Sequence, residues 1–218
     1  MSEKVREYEG RDIAVKFDLR RCIHAEECVH GLPDVFDRDR RPWVNPDGAD
    51  ADRIAEVVMR CPTGALQFER RDGGPAEPVP DENVVRAEPD GPLYVRGDVE
   101  IVDSDGTIVL GDTRVAFCRC GASNNKPFCD NAHLDSGFKH PGSLPDQPPA
   151  DQELMAGEKL RVTPRPNGSL LLEGPFVVRA ADGVAEVKRM KVSLCRCGAS
   201  QKKPFCDGSH KAIGFTAE

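Results

Sequence analysis

Apolar and polar residues alternate near the start of the chain. Ile13, Val15 and Phe17 lie two residues apart, which is the period of a strand with one buried face. A later segment has helical spacing instead, with apolar residues three and four apart at Ile54, Val57, Val58 and Cys61. The two periods predict a strand first and an amphipathic helix after it.

The limits of that helix follow from its flanking residues. Asp50 is a suitable N-cap, and Pro62 ends the helix because proline cannot continue its hydrogen bonds. Leu66-Gln67-Phe68 then predicts a second strand. We therefore expect an α+β module over residues 1–72, with a loop between its first strand and its helix.

A different pattern, seen at residues 91–138, returns 77 residues later without a gap. About 20 of the 48 aligned positions are identical, which indicates an internal duplication. We call residues 91–138 copy one and residues 168–215 copy two. In each copy, short β-rich runs precede the cysteines, with a hairpin turn at Asp105-Gly106 or Asp182-Gly183. The predicted strands cover 93–95, 99–102, 107–110 and 114–117, and then 159–163, 170–172, 176–178 and 191–194.

Two proline-rich, acidic stretches separate the modules. Residues 73–91 and 141–158 combine proline with charge and show no hydrophobic period, which is typical of extended chain at the surface. The predicted organisation is therefore a first module over 1–72, a linker over 73–91, a mostly β module over 92–140, a linker over 141–158, and a second mostly β module over 159–218.

Composition narrows the classes of function. The net charge of −7 argues against a broad nucleic-acid-binding face, which is normally basic. Hydrophobic residues make up only 39% of the chain, so each small module needs additional cross-links. No apolar run is long enough for a transmembrane helix, and the first residues lack the apolar stretch of an export signal. We expect a cytoplasmic protein that binds no membrane.

The nine cysteines suggest what those cross-links are. An odd number without an export signal is typical of a reducing compartment, where clustered cysteines bind metal or perform redox chemistry. They form three triplets with none left over: Cys22, Cys28 and Cys61; Cys118, Cys120 and Cys129; Cys195, Cys197 and Cys206. Three modules with one metal site each is the resulting hypothesis.

Each copy adds a histidine to its triplet. His133 and His210 follow the last cysteine by four residues, so on a helix the two side chains share a face. Asp130 and Asp207 fit as N-caps of such helices, whose positive ends would favour an anionic cluster. Three thiolates and one imidazole make a complete set of four ligands.

The full pattern resembles the CDGSH iron–sulfur domain of the NEET-type family. Copy two ends in Cys206-Asp207-Gly208-Ser209-His210 and matches throughout, whereas copy one has Asn131-Ala132 in place of Gly-Ser. Asn tolerates a positive φ, so we expect the loop of copy one to survive. The resemblance implies a 2Fe–2S cluster per copy. Its ligands would be Cys118, Cys120, Cys129 and His133 in one copy and Cys195, Cys197, Cys206 and His210 in the other. A structural zinc site is the alternative.

The first triplet resembles a single-cluster bacterial ferredoxin, specifically the divergent 4Fe–4S mono-cluster type. Ala25 occupies the position of the middle cysteine, so three thiolates remain, which suits a 3Fe–4S cluster. A 4Fe–4S cluster would need another ligand, for which His24 is the candidate, with Glu26 and Glu27 behind it. The alternative for His24 is a solvated loop residue. The alternative for the whole triplet is a structural zinc site or free thiols. His30 and His140 are interpreted as surface residues.

The predicted function is electron transfer between partner proteins. The chain has no glycine-rich nucleotide loop and no catalytic triad or carboxylate pair, so we expect an electron carrier rather than an enzyme. A reductase and an oxygenase or other oxidase are the expected partners. Storage or transfer of clusters to apo iron–sulfur acceptors, or redox and pH sensing, is the alternative. A structural zinc-binding module is the third.

Two further expectations concern assembly and charge. Family members with one motif form homodimers, so two motifs in one chain imply an internal pseudo-dimer and a monomeric protein. Basic residues flank both copies at Arg119, Lys126, Arg196, Lys202, Lys203 and Lys211. They are either merely solvated, or they stabilise reduced clusters and dock an acidic partner.

Overall fold

The computed structural model describes residues 5–155 and 159–217. The chain divides into two compact units, one up to Pro78 and one from Val79 onward. The first four residues, on which the expectation of no export signal partly rests, lie outside the described residues. So do residues 156–158 of the second predicted linker and residue 218 of the last predicted module.

The first unit contains a three-stranded antiparallel sheet. Its strands are β1 (Val5–Tyr8), β2 (Ile13–Asp18) and β3 (Leu66–Arg70), with β2 in the middle. A 3₁₀ turn at Leu19–Arg21 and the helices α1 (Glu27–Gly31) and α2 (Ala51–Met59) connect β2 to β3. The predicted strands and helix are present. β1 was not predicted because its residues, mostly exposed, show no buried face.

α2 packs on this sheet as its spacing predicts. Ile54, Val57 and Val58 are fully buried in one core with residues of β2 and β3. Asp50 precedes the helix with extended backbone, but its side chain makes no capping hydrogen bond. The helix ends at Met59, so Cys61 lies two residues beyond it rather than on its face.

The second unit contains one six-stranded sheet to which both copies contribute. Its strands are β4 (Val84–Ala87), β5 (Leu93–Val102), β6 (Ile108–Phe117), β7 (Leu160–Pro164), β8 (Leu170–Arg179) and β9 (Glu186–Leu194). The offset of 77 residues relates β4 to β7, β5 to β8 and β6 to β9. With copy one extended back to Val84 and copy two extended back to Leu160, each copy supplies the same three strands.

The two copies exchange backbone pairing at the centre of this sheet. β4 pairs antiparallel with β5 of its own copy and parallel with β8 of the other. β7 does the reverse, antiparallel with β8 and parallel with β5. Because β4 pairs with the first half of β5 and β7 with the second half, the two short strands lie end to end between β5 and β8. β6 and β9 form the outer edges.

Two predictions about the strands need correction. The separate runs predicted over 93–95 and 99–102 form the single strand β5, those over 107–110 and 114–117 form β6, and those over 170–172 and 176–178 form β8. The register of β5 and β8 shifts beside an equivalent glycine, Gly97 or Gly174, which explains why these two strands were each predicted as two. β4 also lies within 73–91, so this predicted linker is strand in part.

Buried side chains from both copies form one core in the second unit. Val95 and Phe117 of copy one pack in the same cluster as Leu172 and Leu194 of copy two. The limits predicted for two separate CDGSH modules therefore remain predictions. Among the described residues, no helix has the length and apolar character needed to cross a membrane.

The close approach of the two copies predicts which glycine is more costly to replace. A Cβ at Gly198 would lie 2.5 Å from the carbonyl oxygen of Cys120, whereas a Cβ at Gly106 would meet nothing within 4 Å. Their φ angles are +82° and +83°, so backbone strain is the same at both positions. We expect Gly106→Ala to cost about 1–2 kcal/mol of unfolding free energy. Gly198→Ala should cost about 1–3 kcal/mol more because of the clash.

Urea unfolding of the full chain, followed by far-UV circular dichroism, measures both costs. Equal losses in the two variants would contradict the close contact between the loops.

Candidate metal centres

The three cysteines of each copy sit on a loop pinned to the end of a strand. Cys118 follows β6, and its N–H donates to the carbonyl of Pro127 at 2.9 Å, while the N–H of Cys129 donates to Ala116 at 2.9 Å. The same two bonds recur in copy two, from Cys195 to Pro204 and from Cys206 to Ser193. The backbone therefore fixes the first and last cysteine of each triplet beside one another.

The ligand side chains form two close pairs in each copy. The sulfur atoms of Cys118 and Cys120 lie 3.7 Å apart, and the Sγ of Cys129 lies 3.5 Å from Nδ1 of His133. In copy two the corresponding distances are 3.6 Å and 3.5 Å. A tetrahedral metal with bonds of about 2.3 Å to sulfur and about 2.0–2.1 Å to nitrogen separates its ligands by about 3.8 Å and about 3.6 Å. Each pair thus has the spacing of two ligands on one metal.

The candidate ligands of each copy are arranged as two pairs. Within 5–155 and 159–217, no group of three or more histidine, cysteine, aspartate or glutamate side chains is arranged to hold one metal ion.

The aspartate of each motif stabilises the loop by hydrogen bonds, but it is not the N-cap that its position predicts. The Asp207 carboxylate accepts from the backbone N–H groups of Gln201 and Ser209, and these bonds, with one from the Ser209 hydroxyl, lower its pKa. The short helix α3 (Ser209–Ala212) has Gly208 at its N-cap. Copy one forms turns and no helix at this place, so the predicted helices and their dipoles are wrong there.

The replacement of Gly by Asn in copy one is tolerated for the predicted reason. Asn131 has φ +71° and Gly208 has φ +90°, so both occupy the left-handed region. The N–H of Asn131 points at the sulfur of Cys129 at 3.5 Å. The departure from the motif therefore leaves the loop conformation intact.

Two arginines between the ligand cysteines are buried, not solvated. Arg119 and Arg196 expose 1% and 0% of their surface. The Nε of Arg119 donates to Gly91 O at 3.0 Å and that of Arg196 to Gly168 O at 2.8 Å. Each guanidinium also lies over a ring, Phe138 at 5.1 Å and Phe215 at 5.6 Å from the centroid. The alternative that these charges are ordinary surface charges is wrong for both.

Each arginine charge also acts across the two copies. Burial lowers the pKa of Arg119 to about 10, while the charge on Cys195 of copy two opposes this shift. Arg196 interacts in the same way with Cys118 of copy one. Both guanidinium groups stay charged at neutral pH, so the two ligand loops enclose two buried cations.

His140 is part of this structure and is not the ordinary surface residue that was predicted. It is half-buried, and its Nδ1 lies 2.9 Å from Nη1 of Arg119 and accepts from the N–H of Gly142 at 3.0 Å. Its own N–H donates to Asp90. Burial first, and then the charges of Arg119 and Lys203, lower its pKa to about 4. Copy two has Ala217 at this position, so the repeat gave no indication of a role for His140.

The pKa values of the candidate ligand thiols differ. Burial raises the pKa of Cys28 and Cys129 to about 11, so these two thiols carry protons at neutral pH until metal displaces them. The hydrogen bond between Cys118 and Cys120 raises the pKa of the more buried Cys118 and lowers that of Cys120 to about 6. Metal binding therefore releases protons, and metal affinity increases with pH.

The first triplet lines a single cavity of about 580 Å³ in the first unit. Its walls include the three cysteines, the candidate ligands and an aromatic side formed by Tyr8, Phe17 and Trp43. The buried Arg21 donates to the carbonyl of Thr63, which joins the loop after β2 to the loop after α2. The structure thus brings together cysteines that are 39 residues apart in the sequence, Cys22 and Cys61.

The candidate fourth ligands differ in their surroundings. Glu26 is held by Arg38 at 2.6 Å and by His30 at 3.5 Å, so its carboxylate is already engaged. His24 is exposed on the cavity wall with φ +53°, and Glu26 has φ +63°. Positive φ at two non-glycine residues bends this loop around the position of Ala25. His30 is exposed, as predicted.

The sequence placed Arg119 and Arg196 beside the cysteines but did not predict their burial or the packing of Trp43. Each arginine donates to a carbonyl 28 residues earlier in the chain, Gly91 or Gly168, a contact that local spacing does not reveal. Trp43 packs at 4.8 Å from Phe17 by ring centroid, a contact between residues far apart in the chain.

Comparison with known proteins assigns families to all three motifs. Residues 8–71 match the family described as divergent 4Fe-4S mono-cluster. Residues 90–134 and 167–211 each match the family described as iron-binding zinc finger, CDGSH type. The matches cover the motifs from which both resemblances were predicted.

Two curated relatives match the first unit. They are the uncharacterized protein YjdI of Escherichia coli strain K12 and of Escherichia coli O157:H7, each 36% identical over 64 residues. The match spans 29% of this chain and 84% of each relative. No solved structure matches the chain.

The environment of His140 predicts a pH effect on stability. Its pKa is about 4 in the folded chain and about 6.5 when unfolded, so the folded state disfavours protonation. The stability that neutral His140 contributes is present above pH 6.5 and is lost as the pH falls towards 4. His140→Gln keeps an acceptor for Arg119 but does not titrate in this range.

We therefore expect the wild type to lose more unfolding free energy than His140→Gln between pH 7 and pH 4.5, in urea titrations of the full chain. All other titrating groups, including His133 and His210, are common to both proteins and cancel in the comparison. Parallel losses in the two proteins would show that His140 titrates normally.

Proposed function

We propose an electron-transfer function for this chain, which belongs to the CDGSH-type iron-binding family and carries a divergent 4Fe–4S mono-cluster domain at its N-terminus. It is an iron–sulfur protein. The observation that supports this function most is the arrangement of each repeated ligand set as two pairs at metal-coordination spacing. Such a set suits a two-iron redox group better than a structural zinc ion.

The proposed cofactors are two 2Fe–2S clusters and one 3Fe–4S or 4Fe–4S cluster. One pair in each copy would hold one iron, Cys118 with Cys120 and Cys195 with Cys197. The other iron would be held by Cys129 with His133 and by Cys206 with His210. In the first unit Cys22, Cys28 and Cys61 would bind the third cluster. His24 is the proposed fourth ligand if that cluster has four irons, because Glu26 is occupied by Arg38 and His30.

The protein's own groups would set the redox properties. When bound, an iron–sulfur cluster accepts and releases one electron. Backbone N–H groups of Ala122 and Asn131 point at Cys120 and Cys129 at 3.4 Å and 3.5 Å, which stabilises negative charge on sulfur. The buried charges of Arg119 and Arg196 favour the reduced, more negative state in the same way. A neutral imidazole in place of a fourth thiolate acts in that direction too.

The chain is proposed to carry electrons and not to catalyse a reaction itself. Flavin or nicotinamide chemistry would reside on a partner reductase, and an oxygenase or other oxidase would receive the electrons.

The exchanged pairing of β4 and β7 supports an internal pseudo-dimer of the two copies, with a monomeric protein as its consequence. A ferredoxin-like α+β fold is proposed for the first unit.

Cluster transfer, or redox and pH sensing, is the second candidate function. His133 and His210 are half-buried in the structure, so solvent protons can reach them. Protonation of a histidine ligand near neutral pH would weaken its bond to iron. This reaction would make clusters leave in mild acid and pass to apo acceptors.

The two functions differ in which reaction is faster. We expect dithionite-reduced protein to pass electrons to cytochrome c within seconds, while transfer of iron and sulfide to an apo plant-type ferredoxin takes minutes or longer. Anaerobic mixing at pH 7.5 with optical detection measures both. Cluster transfer faster than electron transfer would contradict the proposed function and favour the carrier. His210→Cys serves as the matched variant, because a thiolate replaces the imidazole ligand.

A further inference from the structure

The two repeated ligand loops are similar in sequence but differ in surface charge. We define the first rim as residues 124–136 and the second rim as residues 201–213, which are equivalent by the offset of 77. The first rim has one lysine and two aspartates, a charge of −1. The second rim has three lysines and one aspartate, a charge of +2. The net charges of the two rims therefore differ by three units, although both rims surround the same type of ligand set.

Four of these seven charges are equivalent in the two rims and do not contribute to the contrast. Lys126 and Lys203 are half-buried and donate to the carbonyls of Ser123 and Ser200 in the same way. Asp130 and Asp207 accept from equivalent backbone N–H groups. The contrast comes from the remaining positions, where the second rim has Lys202, Lys211 and Ala212 and the first rim has Asn125, Leu134 and Asp135.

The two distinctive lysines are available for binding. Lys202 and Lys211 are exposed, and neither forms an ion pair with another described residue. Lys211 directly follows the ligand His210, whereas Leu134, 72% exposed, directly follows His133. Lys139 beside the first rim is neutralised by Asp90 at 3.0 Å. Lys202 and Lys211 therefore have no counterion among the described residues, whereas Lys139 has one.

An unpaired positive face is unusual on this chain, whose net charge is −7. Charge of this kind steers an oppositely charged partner and fixes its orientation. Ile213 is 54% exposed on the second rim and Leu134 is 72% exposed on the first, so each rim offers an apolar contact and charge is what distinguishes them. A small apolar centre with charges around it is the usual composition of a transient protein interface.

We propose that the second rim is the docking face for an acidic one-electron carrier protein, and that the first rim is not. The proposal rests on the electron-transfer function proposed above. In the docked complex one electron leaves the reduced copy-two centre near His210 and reduces the partner's one-electron acceptor. No atom is transferred. The first rim, with a charge of −1, repels the same partner.

The test uses reduced full-length protein and two small oxidants of opposite charge. Ferricyanide represents an acidic partner, and tris(phenanthroline)cobalt(III) is the cationic counterpart. We expect the double variant Lys202→Asn, Lys211→Leu, which installs the residues of the first rim, to slow one kinetic phase of ferricyanide reduction about tenfold at low ionic strength. The difference should vanish at about 0.5 M salt, where exposed charges are screened.

A charge-exchange variant provides the matched control. Adding Asn125→Lys and Leu134→Lys to the double variant moves the two lysines to the first rim and restores the net charge of the chain. We expect this variant to recover a fast ferricyanide phase. The cobalt oxidant should show the opposite dependence on each change. Because Leu134, Lys202 and Lys211 are exposed and Asn125 is half-buried, and none of the four is a candidate ligand, the visible spectrum of each variant should be unchanged.

Competition identifies the chemical class of the partner. Poly-L-glutamate should slow the fast ferricyanide phase of the wild type and leave the double variant unaffected. Stronger competition by a DNA oligonucleotide of equal charge would overturn the proposal in favour of nucleic acid. Rates that are equal for wild type and double variant at every salt concentration would overturn it as well, while leaving electron transfer intact. Failure of both oxidants to react with any reduced centre would overturn the electron-transfer function itself.

Discussion

The second unit depends on the exchange of backbone pairing between its two copies. β4 and β7 each complete the sheet of the other copy, so neither copy has its full set of strand partners alone. This pairing places the ligand loops against one another, with Gly198 facing the Cys120 carbonyl and Gly121 facing that of Cys197. The sheet and the close approach of the two ligand loops thus have one common cause.

Burial of two arginines needs a compensating reason, because an unpaired buried cation is costly. Here backbone carbonyls accept from each guanidinium and an aromatic ring covers each. Two anionic clusters nearby would provide the remaining compensation. Buried thiols with raised pKa values have the same requirement, since a bound metal replaces their protons. The second unit is therefore built for charge that the polypeptide alone does not supply.

The sequence predicted those features that depend on local spacing. The duplication and the helix over Ile54 to Val58 follow from periods and motifs in the sequence, and the structure contains them. The assignment of the cysteines and histidines as ligands stays a prediction. It did not predict features that depend on the crossing of the copies. β4 lies in a proline-rich, acidic stretch that reads as linker, and only its pairing with β5 and β8 makes it a strand. His140 acquires its role from Arg119, a contact across 21 residues with no counterpart in copy two. Asp207 was misassigned as an N-cap because its partner N–H groups belong partly to the preceding loop.

The central claim is that three iron–sulfur clusters occupy these sites, two of them with two irons each. Iron and acid-labile sulfide per chain, measured on anaerobically purified protein together with EPR, test it most directly. The account predicts about seven irons with an oxidised EPR signal of the 3Fe–4S type, or about eight irons without it, and sulfide in similar amount. Zinc in place of iron, with no acid-labile sulfide, would contradict the claim and leave a structural metal-binding protein.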